Sequence, residues 1–298
     1  MKTDFLMRSL MFVPAHNERL MDSASRSSAD VLLLDIEDSV QPIENKQIAR
    51  DNILRYIEDG HFDGRILFPR INDRESGQLL KDVYQLTVKG ITGFMYPKAH
   101  NGEDIYFIGK LLETIECEKG LPVGTFKLIP LIETTGAVMN IQNICNACPN
   151  RVVAVAFGCE DFVTDLGGKH DAEGQSIFNP RAMIAMGAKS CGVTPIDTVH
   201  IKVHDLEDLE QNLILSKKLG FDGMLVLNPK ELPLVHKYYS PSEEEVAWAT
   251  EMISLSEEAV REGKGVAVKD NKFIGPPMLK MAKAILYKHD LSTANEPE

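Results

Sequence analysis

The sequence predicts an α/β fold, a TIM-like (β/α)8 barrel followed by a C-terminal lid-like tail, and three observations carry that expectation. Short runs rich in Val, Ile and Leu recur along the 298 residues, bounded by polar residues. Such runs are the mark of parallel strands buried on both faces. Segments with helical spacing lie between them, and strict alternation of the two predicts right-handed β/α units around a parallel sheet. Three of the runs, Val31-Leu-Leu-Leu34, Phe126-Lys-Leu-Ile-Pro-Leu-Ile132 and Val152-Val-Ala-Val-Ala-Phe157, also stop at or near carboxylates: Asp35 with Glu37 and Asp38, Glu133, and Glu160 with Asp161. The carboxyl ends of strands are where barrels of this class, typically about 250 residues long, place their chemistry.

Taken in order, strands are expected over 9–13, 31–35, 65–71, 93–97, 127–132, 152–157, 198–203 and 223–227, the eight that a closed barrel needs. Helices are expected over 17–29, 46–58, 75–88, 103–119, 137–147, 180–191 and 206–219. Pro180 is read as a helix start and Gly220 as a helix stop. After Asn228-Pro229 the pattern changes. An acidic helix over 242–263 opens with the capping box Ser242-Glu-Glu-Glu245. A hairpin is expected over 265–274 around Asp270-Asn271, and a closing helix over 276–287. The barrel is therefore assigned to 1–240 and the lid-like extension to 241–298.

A net charge of −12 argues against nucleic acid or an anionic membrane as partner, since both attract basic surface. No apolar run approaches the roughly 20 residues of a membrane span. The first 17 residues, interrupted by Lys2, Asp4 and Arg8, do not read as a signal peptide. Five cysteines, an odd number, suit a reducing cytoplasm. Cys145-Asn-Ala-Cys148 has the spacing of half a zinc site, but no second pair follows it.

The strand-end acids admit two readings. Glu133 and Asp161 could hold one Mg²⁺, a hard cation suited to one or two carboxylates, with open positions for substrate oxygens. Alternatively Glu133, just before Thr134-Thr135-Gly136, could cap a helix. Arg70 and Asn72 could present donors to a carboxylate or enolate, or Arg70 could be a structural ion pair. Replacement of Arg70 by Lys is expected to cost activity more than stability, because an ammonium cannot reproduce the guanidinium fork. Lys98 could neutralise the acidic cluster or hold Glu37.

Together these segments resemble the citrate lyase β-subunit-like family, HpcH/HpaI aldolase-type barrels that include malyl-CoA and citramalyl-CoA lyases. The likeness rests on Arg8-Ser-Leu-Met-Phe-Val-Pro14, Asp35-Ile-Glu-Asp-Ser-Val40 with Lys46 and Arg50, Phe68-Pro-Arg-Ile-Asn72, Tyr96-Pro-Lys98, Leu131-Ile-Glu133, Glu160-Asp-Phe-Val-Thr-Asp-Leu166, and Gly220-Phe-Asp-Gly223 through Asn228-Pro229. The resemblance implies a trimer or hexamer with Mg²⁺ on Glu133 and Asp161. It places Arg70, Glu37 and Lys46 in catalysis, and Arg8, Asn17, Arg70, Asn72, Pro97 and Lys98 around the substrate. It also implies cleavage of a short β-hydroxy dicarboxylic acyl thioester, on CoA or a carrier protein, into a 2-oxo acid and acetyl thioester.

Two departures from the family pattern stand out. Gly275 occupies the place of a tail Asp that is the proposed proton carrier, and Ala15 that of a Gly near the thioester. These keep open a citryl-thioester lyase subunit, a 2-oxo-acid aldolase or thioesterase, and a catalytically silent homologue.

Overall fold

A computed structural model describes residues 3–171, 174–263, 267–269 and 272–294. Eight strands form one parallel sheet, seven of them at expected positions: β1 (Ser9–Pro14), β2 (Val31–Asp35), β3 (Ile66–Leu67), β4 (Gly93–Tyr96), β5 (Lys127–Ile132), β6 (Ala154–Phe157), β7 (Thr194–Asp197) and β8 (Gly223–Val226). Its order is β3-β2-β1-β8-β7-β6-β5-β4. Arg70, which continues the line of β3 and bridges Asp35 of β2, also makes a parallel bridge to Met95 of β4, and this joins the two outer edges so that the sheet closes into a barrel. Leu32, Leu33, Leu34, Phe94 and Phe157 are fully buried, as strands packed on both faces require.

Helices alternate with the strands: α1 (Glu18–Ser25), α2 (Asn45–Glu58), α3 (Leu79–Leu86), α4 (Gly102–Glu118), α5 (Thr135–Met139), α6 (Ile141–Asn146), α7 (Cys159–Leu166), α8 (Gln175–Ser190), α9 (Leu206–Leu219) and α10 (Leu232–Tyr239). Buried ion pairs Arg50–Asp82, Arg151–Glu116 and Arg181–Asp197 lie among these elements.

The differences from expectation have local causes. The third strand, expected over 65–71, is continuous only at Ile66–Leu67, because Pro69 has no N–H to donate. The hydrogen bonds to β2 continue on either side of it, Phe68 N–H donating to Leu32 O at 2.9 Å and Arg70 N–H to Leu34 O at 3.0 Å. The seventh strand is Thr194–Asp197 and not 198–203: the true strand is short and contains Pro195, whereas the alternating stretch after it forms the loop at the strand's carboxyl end. The helix expected over 137–147 is two helices, broken at Asn140, whose side chain donates to Gly136 O at 2.9 Å. Pro180 lies inside α8, not at its start. The short helices α7 and α10 have no counterpart in the sequence reading.

Among the described residues, Thr3 and 7–236 form one compact unit, while 4–6 with those from 237 to 294 form a second. The second unit packs α11 (Glu243–Arg261) on α12 (Pro276–Ala294) around Ala249, Met252, Ile274 and Ala282. The Ser242/Glu245 capping box forms as expected. Strands β9 (Ala267–Lys269) and β10 (Lys272–Ile274) pair antiparallel. The expected turn residues Asp270 and Asn271 lie outside the described residues.

Candidate active site at the barrel mouth

Glu133 follows directly on β5 and is 2 % exposed, with Oε1 accepting the Lys98 N–H at 2.5 Å. Burial pushes its carboxyl up to about 8, helped by repulsion from Glu37 and Asp161 and opposed by the Lys98 hydrogen bond and Arg70. The capping alternative does not apply to Glu133. Thr134 is the N-cap of α5, its Oγ1 accepting from Ala137 N at 3.0 Å. Asp161 sits in the first turn of α7, and a neighbouring acid of that helix, Asp165, accepts from both Thr135 N and Thr135 Oγ1 at 2.7 Å. Asp165 thereby ties α7 to the turn that carries Glu133.

Two cavities share Glu133 and Asp161. One, of about 480 Å³, runs over apolar side chains including Phe12, Leu131 and Phe157, and has Arg70 in its wall. The other, of about 730 Å³, is lined by polar groups including Asp73, Arg74, Lys98 and His100.

Arg70 forms a bidentate pair with Asp35 at 2.7 and 2.6 Å, and its remaining nitrogen Nη1 lies 3.1 Å from Glu37. Its guanidinium stacks over Phe12, 4.7 Å from the ring centroid. Burial alone would push Asp35 up, but Arg70 holds it below the ordinary carboxylate range. Arg70 therefore faces the cavity while its fork is committed to an internal partner.

Glu37 is 3 % exposed and lies between Arg70 and Lys98, whose Nζ donates to Glu37 Oε1 at 2.7 Å. Burial pushes the Glu37 carboxyl up to about 7 against these two cations. Lys98 adopts φ 51°, the left-handed region that non-glycine residues rarely occupy. That conformation lets one residue serve both acids, Glu133 through its backbone and Glu37 through its ammonium. Pro97 is buried immediately before it.

Several expected site residues lie elsewhere or are fully engaged. Lys46, 6 % exposed, donates to Ile36 O at 3.2 Å, to Glu37 O at 3.0 Å and to Asn72 Oδ1, so its three hydrogens hold the loop after β2. Asn72 is 1 % exposed and gives its own amide to Ile36 O and Asp82. Neither lines the two cavities. Arg8 precedes β1, at the end of the barrel opposite the mouth, and its guanidinium binds Asp30 at 2.9 and 2.8 Å. A parallel strand of six residues separates it from the mouth by roughly 20 Å. Asn17 is an exposed N-cap, accepting from Leu20 N at 3.2 Å. Ala15 is fully buried, its N–H donating to Asp35 O at 3.0 Å.

Gly158 was not singled out by the sequence. A Cβ there would lie 2.9 Å from both Cβ and Oε2 of Glu133, so this glycine makes the room in which the Glu133 carboxylate sits. Its place between a strand end and Glu160-Asp161 was the available signal. The Cys145-x-x-Cys148 pair divides between partners: Cys145 hydrogen-bonds with Cys191, while Cys148 Sγ donates to Ile105 O at 3.5 Å.

The donor set at Glu133 and Asp161 fits a hard divalent cation. Both groups are carboxylates at one cavity wall, and Glu133 stays raised, chiefly by burial and further by Glu37 and Asp161, although the Lys98 N–H and Arg70 oppose the shift.

Residues 8–229 match the model of the family described as HpcH/HpaI aldolase/citrate lyase. The citrate lyase subunit beta of Leuconostoc mesenteroides subsp. cremoris is 29% identical over 286 residues, covering 96% of this chain and 94% of that protein. The L-malyl-CoA/beta-methylmalyl-CoA lyase of Rhodobacter capsulatus is 26% identical over 307 residues, covering 96% of each. The crystal structure of CitE from Mycobacterium tuberculosis in complex with magnesium, acetoacetate and coenzyme A superposes with a TM-score of 0.73 at 26% identity, covering 97% of this chain and 100% of that one.

Proposed function

We propose that this chain, which belongs to the HpcH/HpaI aldolase/citrate lyase family, is a Mg²⁺-dependent carbon–carbon lyase that cleaves a short β-hydroxy dicarboxylic acyl thioester into a 2-oxo acid and an acyl thioester. The observation that carries the reading is Glu133: a carboxylate 2 % exposed, raised to about 8 and repelled by Asp161 at the wall of an open cavity. The relatives named as lyases and the magnesium and coenzyme A of the CitE complex support it.

Glu133 and Asp161 would hold the ion, which when bound supplies Lewis-acid polarisation of a substrate oxygen. The chain's own residues do the rest of the positioning. The Lys98 N–H fixes Glu133, Asp165 fixes α7 against Thr135, and Arg70 brings positive charge to the cavity where a carboxylate or enolate oxygen develops charge. Glu37 sets the places of both cations and acts as a positioning residue. The mostly apolar wall of the 480 Å³ cavity limits water around the bond that breaks.

A citryl-thioester substrate on a carrier protein is the second reading, favoured by the citrate lyase subunit beta relative. Assembly as a trimer or hexamer and residence in the cytoplasm belong to the same proposal, the latter suited to the five cysteines of the sequence. The test is Mg²⁺-dependent release of 2-oxo acid from malyl-CoA, citramalyl-CoA and citryl-CoA. Release should disappear in Glu133→Gln and fall in Asp161→Asn with the circular dichroism unchanged. Release that persists without metal, or in Glu133→Gln, overturns the assignment.

A further inference from the structure

Cys159, Glu160 and His170 bring a sulfur, a carboxylate oxygen and an imidazole nitrogen to within 4.8 Å of one another. Cys159 is the first residue of α7 and is 1 % exposed, whereas His170 comes from the loop beyond that helix. His170 Nε2 lies 3.0 Å from Glu160 Oε1, and Cys159 Sγ lies 3.7 Å from the same oxygen. Thr198 Oγ1 accepts the Cys159 N–H at 3.3 Å, so a neighbouring loop holds the residue that carries the thiol.

We propose that these three side chains form a binding site for a borderline-soft divalent cation, Zn²⁺ or a close analogue, separate from the hard carboxylate pair of Glu133 and Asp161. The donor types select the ion. Thiolate and imidazole suit zinc, whereas magnesium takes oxygen ligands. Zinc–ligand lengths of about 2.0 to 2.3 Å give tetrahedral edges of about 3.3 to 3.6 Å. The Glu160–His170 and Cys159–Glu160 separations of 3.0 and 3.7 Å bracket those edges, and the Cys159–His170 edge lies within 4.8 Å, so closure around an ion needs at most a shift of about 1 Å of His170, which comes from a loop. Three protein ligands leave the fourth position to water or a small ligand, which is the arrangement of an open site.

The surroundings agree with an open position. Cys159 and Glu160 line the 480 Å³ cavity, while Cys159 and His170 line a neighbouring cavity of about 390 Å³. An ion held here would lie in the wall between them, reachable from either side. Binding converts the Cys159 thiol to a metal-bound thiolate and releases its proton to solvent; no electrons are transferred.

The experiment uses the full chain, stripped with a chelator and then saturated with Mg²⁺ so that the hard site is filled. Co²⁺ is added as the spectroscopic probe. One equivalent should bring up a thiolate-to-cobalt charge-transfer band in the near ultraviolet together with the intense visible bands of a four-coordinate centre, and one equivalent of Zn²⁺ should abolish both. Cys159→Ser should lose the charge-transfer band. His170→Asn, at a side chain 33% exposed and so without folding cost, should weaken Co²⁺ binding at least tenfold with unchanged circular dichroism. Absence of the charge-transfer band from the unsubstituted chain overturns the site. So does a band that survives Cys159→Ser, which would belong to one of the other four cysteines, or an unchanged affinity in His170→Asn.

Discussion

Replacing Arg70 by Lys should cost stability as much as activity, reversing what the sequence alone suggests. The guanidinium makes two charge-assisted hydrogen bonds to Asp35, a carboxylate with 1% side-chain exposure, while Arg70 itself is 11% exposed. Such bonds contribute about 1.5 to 3 kcal/mol each. A lysine at this position keeps the charge and one of the two bonds. It also loses the planar stack on Phe12, which contributes about 0.5 to 1 kcal/mol. The expected loss is therefore about 2 to 4 kcal/mol. Asp35 does not become an orphan, because the backbone N–H groups of Glu37 and Ser39 still donate to it at 3.0 and 3.2 Å, and this keeps the loss below complete removal of a buried partner. Urea unfolding followed by circular dichroism should show a lower midpoint with an unchanged slope, alongside reduced Mg²⁺-dependent turnover. A midpoint within error of the parent, with turnover alone reduced, would refute the idea that the fork is committed to Asp35.

Three further expectations concern the acids and glycines of the mouth and tail. Glu37 and Glu133 are raised from 4.5 to about 7 and about 8, so the folded, metal-free chain binds more protons than the unfolded chain between those limits. Their contribution to stability is complete below about pH 4.5 and is lost as pH rises through about 8, and Mg²⁺ binding near pH 7 should release a proton. Calorimetric titration in buffers of different ionisation enthalpy measures that release, and zero protons at pH 7 would count against it. Gly158→Ala should displace the Glu133 carboxylate and weaken Mg²⁺ binding by about 10- to 100-fold, since the new Cβ meets Glu133 Cβ at 2.9 Å; an unchanged dissociation constant would show that Glu133 does not hold the ion. Gly275→Asp should fold, because that glycine lacks a left-handed φ and the nearest atoms to its Cβ would belong to the ring of Phe273, which is 57 % exposed and can turn aside. If a proton carrier is all that the tail lacks, thioester cleavage should rise by about 10² or more, and no rise refutes that account.

Much of the barrel was legible because burial on both faces leaves a plain mark: Val31-Leu-Leu-Leu34 and Val152-Val-Ala-Val-Ala-Phe157 have almost no polar residue to misplace them. In the seventh strand the mark failed, whereas β5 was legible despite Pro130 because apolar residues surround it. Pro195 hid β7, and the alternation that follows it, Thr198 to Val203, belongs to a loop whose buried Thr198 and His200 imitate a strand face. Site residues divided along a similar line. Glu133 and Asp161 were singled out from position, at and just after strand ends, and both line the two cavities of the mouth. Lys46, Asn72 and Arg8 do not line either cavity, and the string of residue types could not show that, because it does not say which way a long side chain turns. Lys46 turns back under its own loop, and Arg8 stands at the wrong end of its strand for the mouth.

Lys98 shows why the mouth cannot be read as a sum of single residues. Its ammonium is 39% exposed and near Glu37, Asp38 and Asp73, so taken alone it is one more screened surface cation. Its backbone, however, donates to the buried Glu133 from a left-handed conformation that a non-glycine residue adopts only when its surroundings hold it there. The buried Pro97 before it and the two acids on either side supply that hold. Because the same residue contacts Glu37 and Glu133, any change that frees Lys98 alters two raised carboxyls together, and the proton inventory of the metal-free mouth is a property of the pair. A cation held beside Glu133 would therefore also act on Glu37, whose charge bears on the Glu133 carboxyl, without touching it.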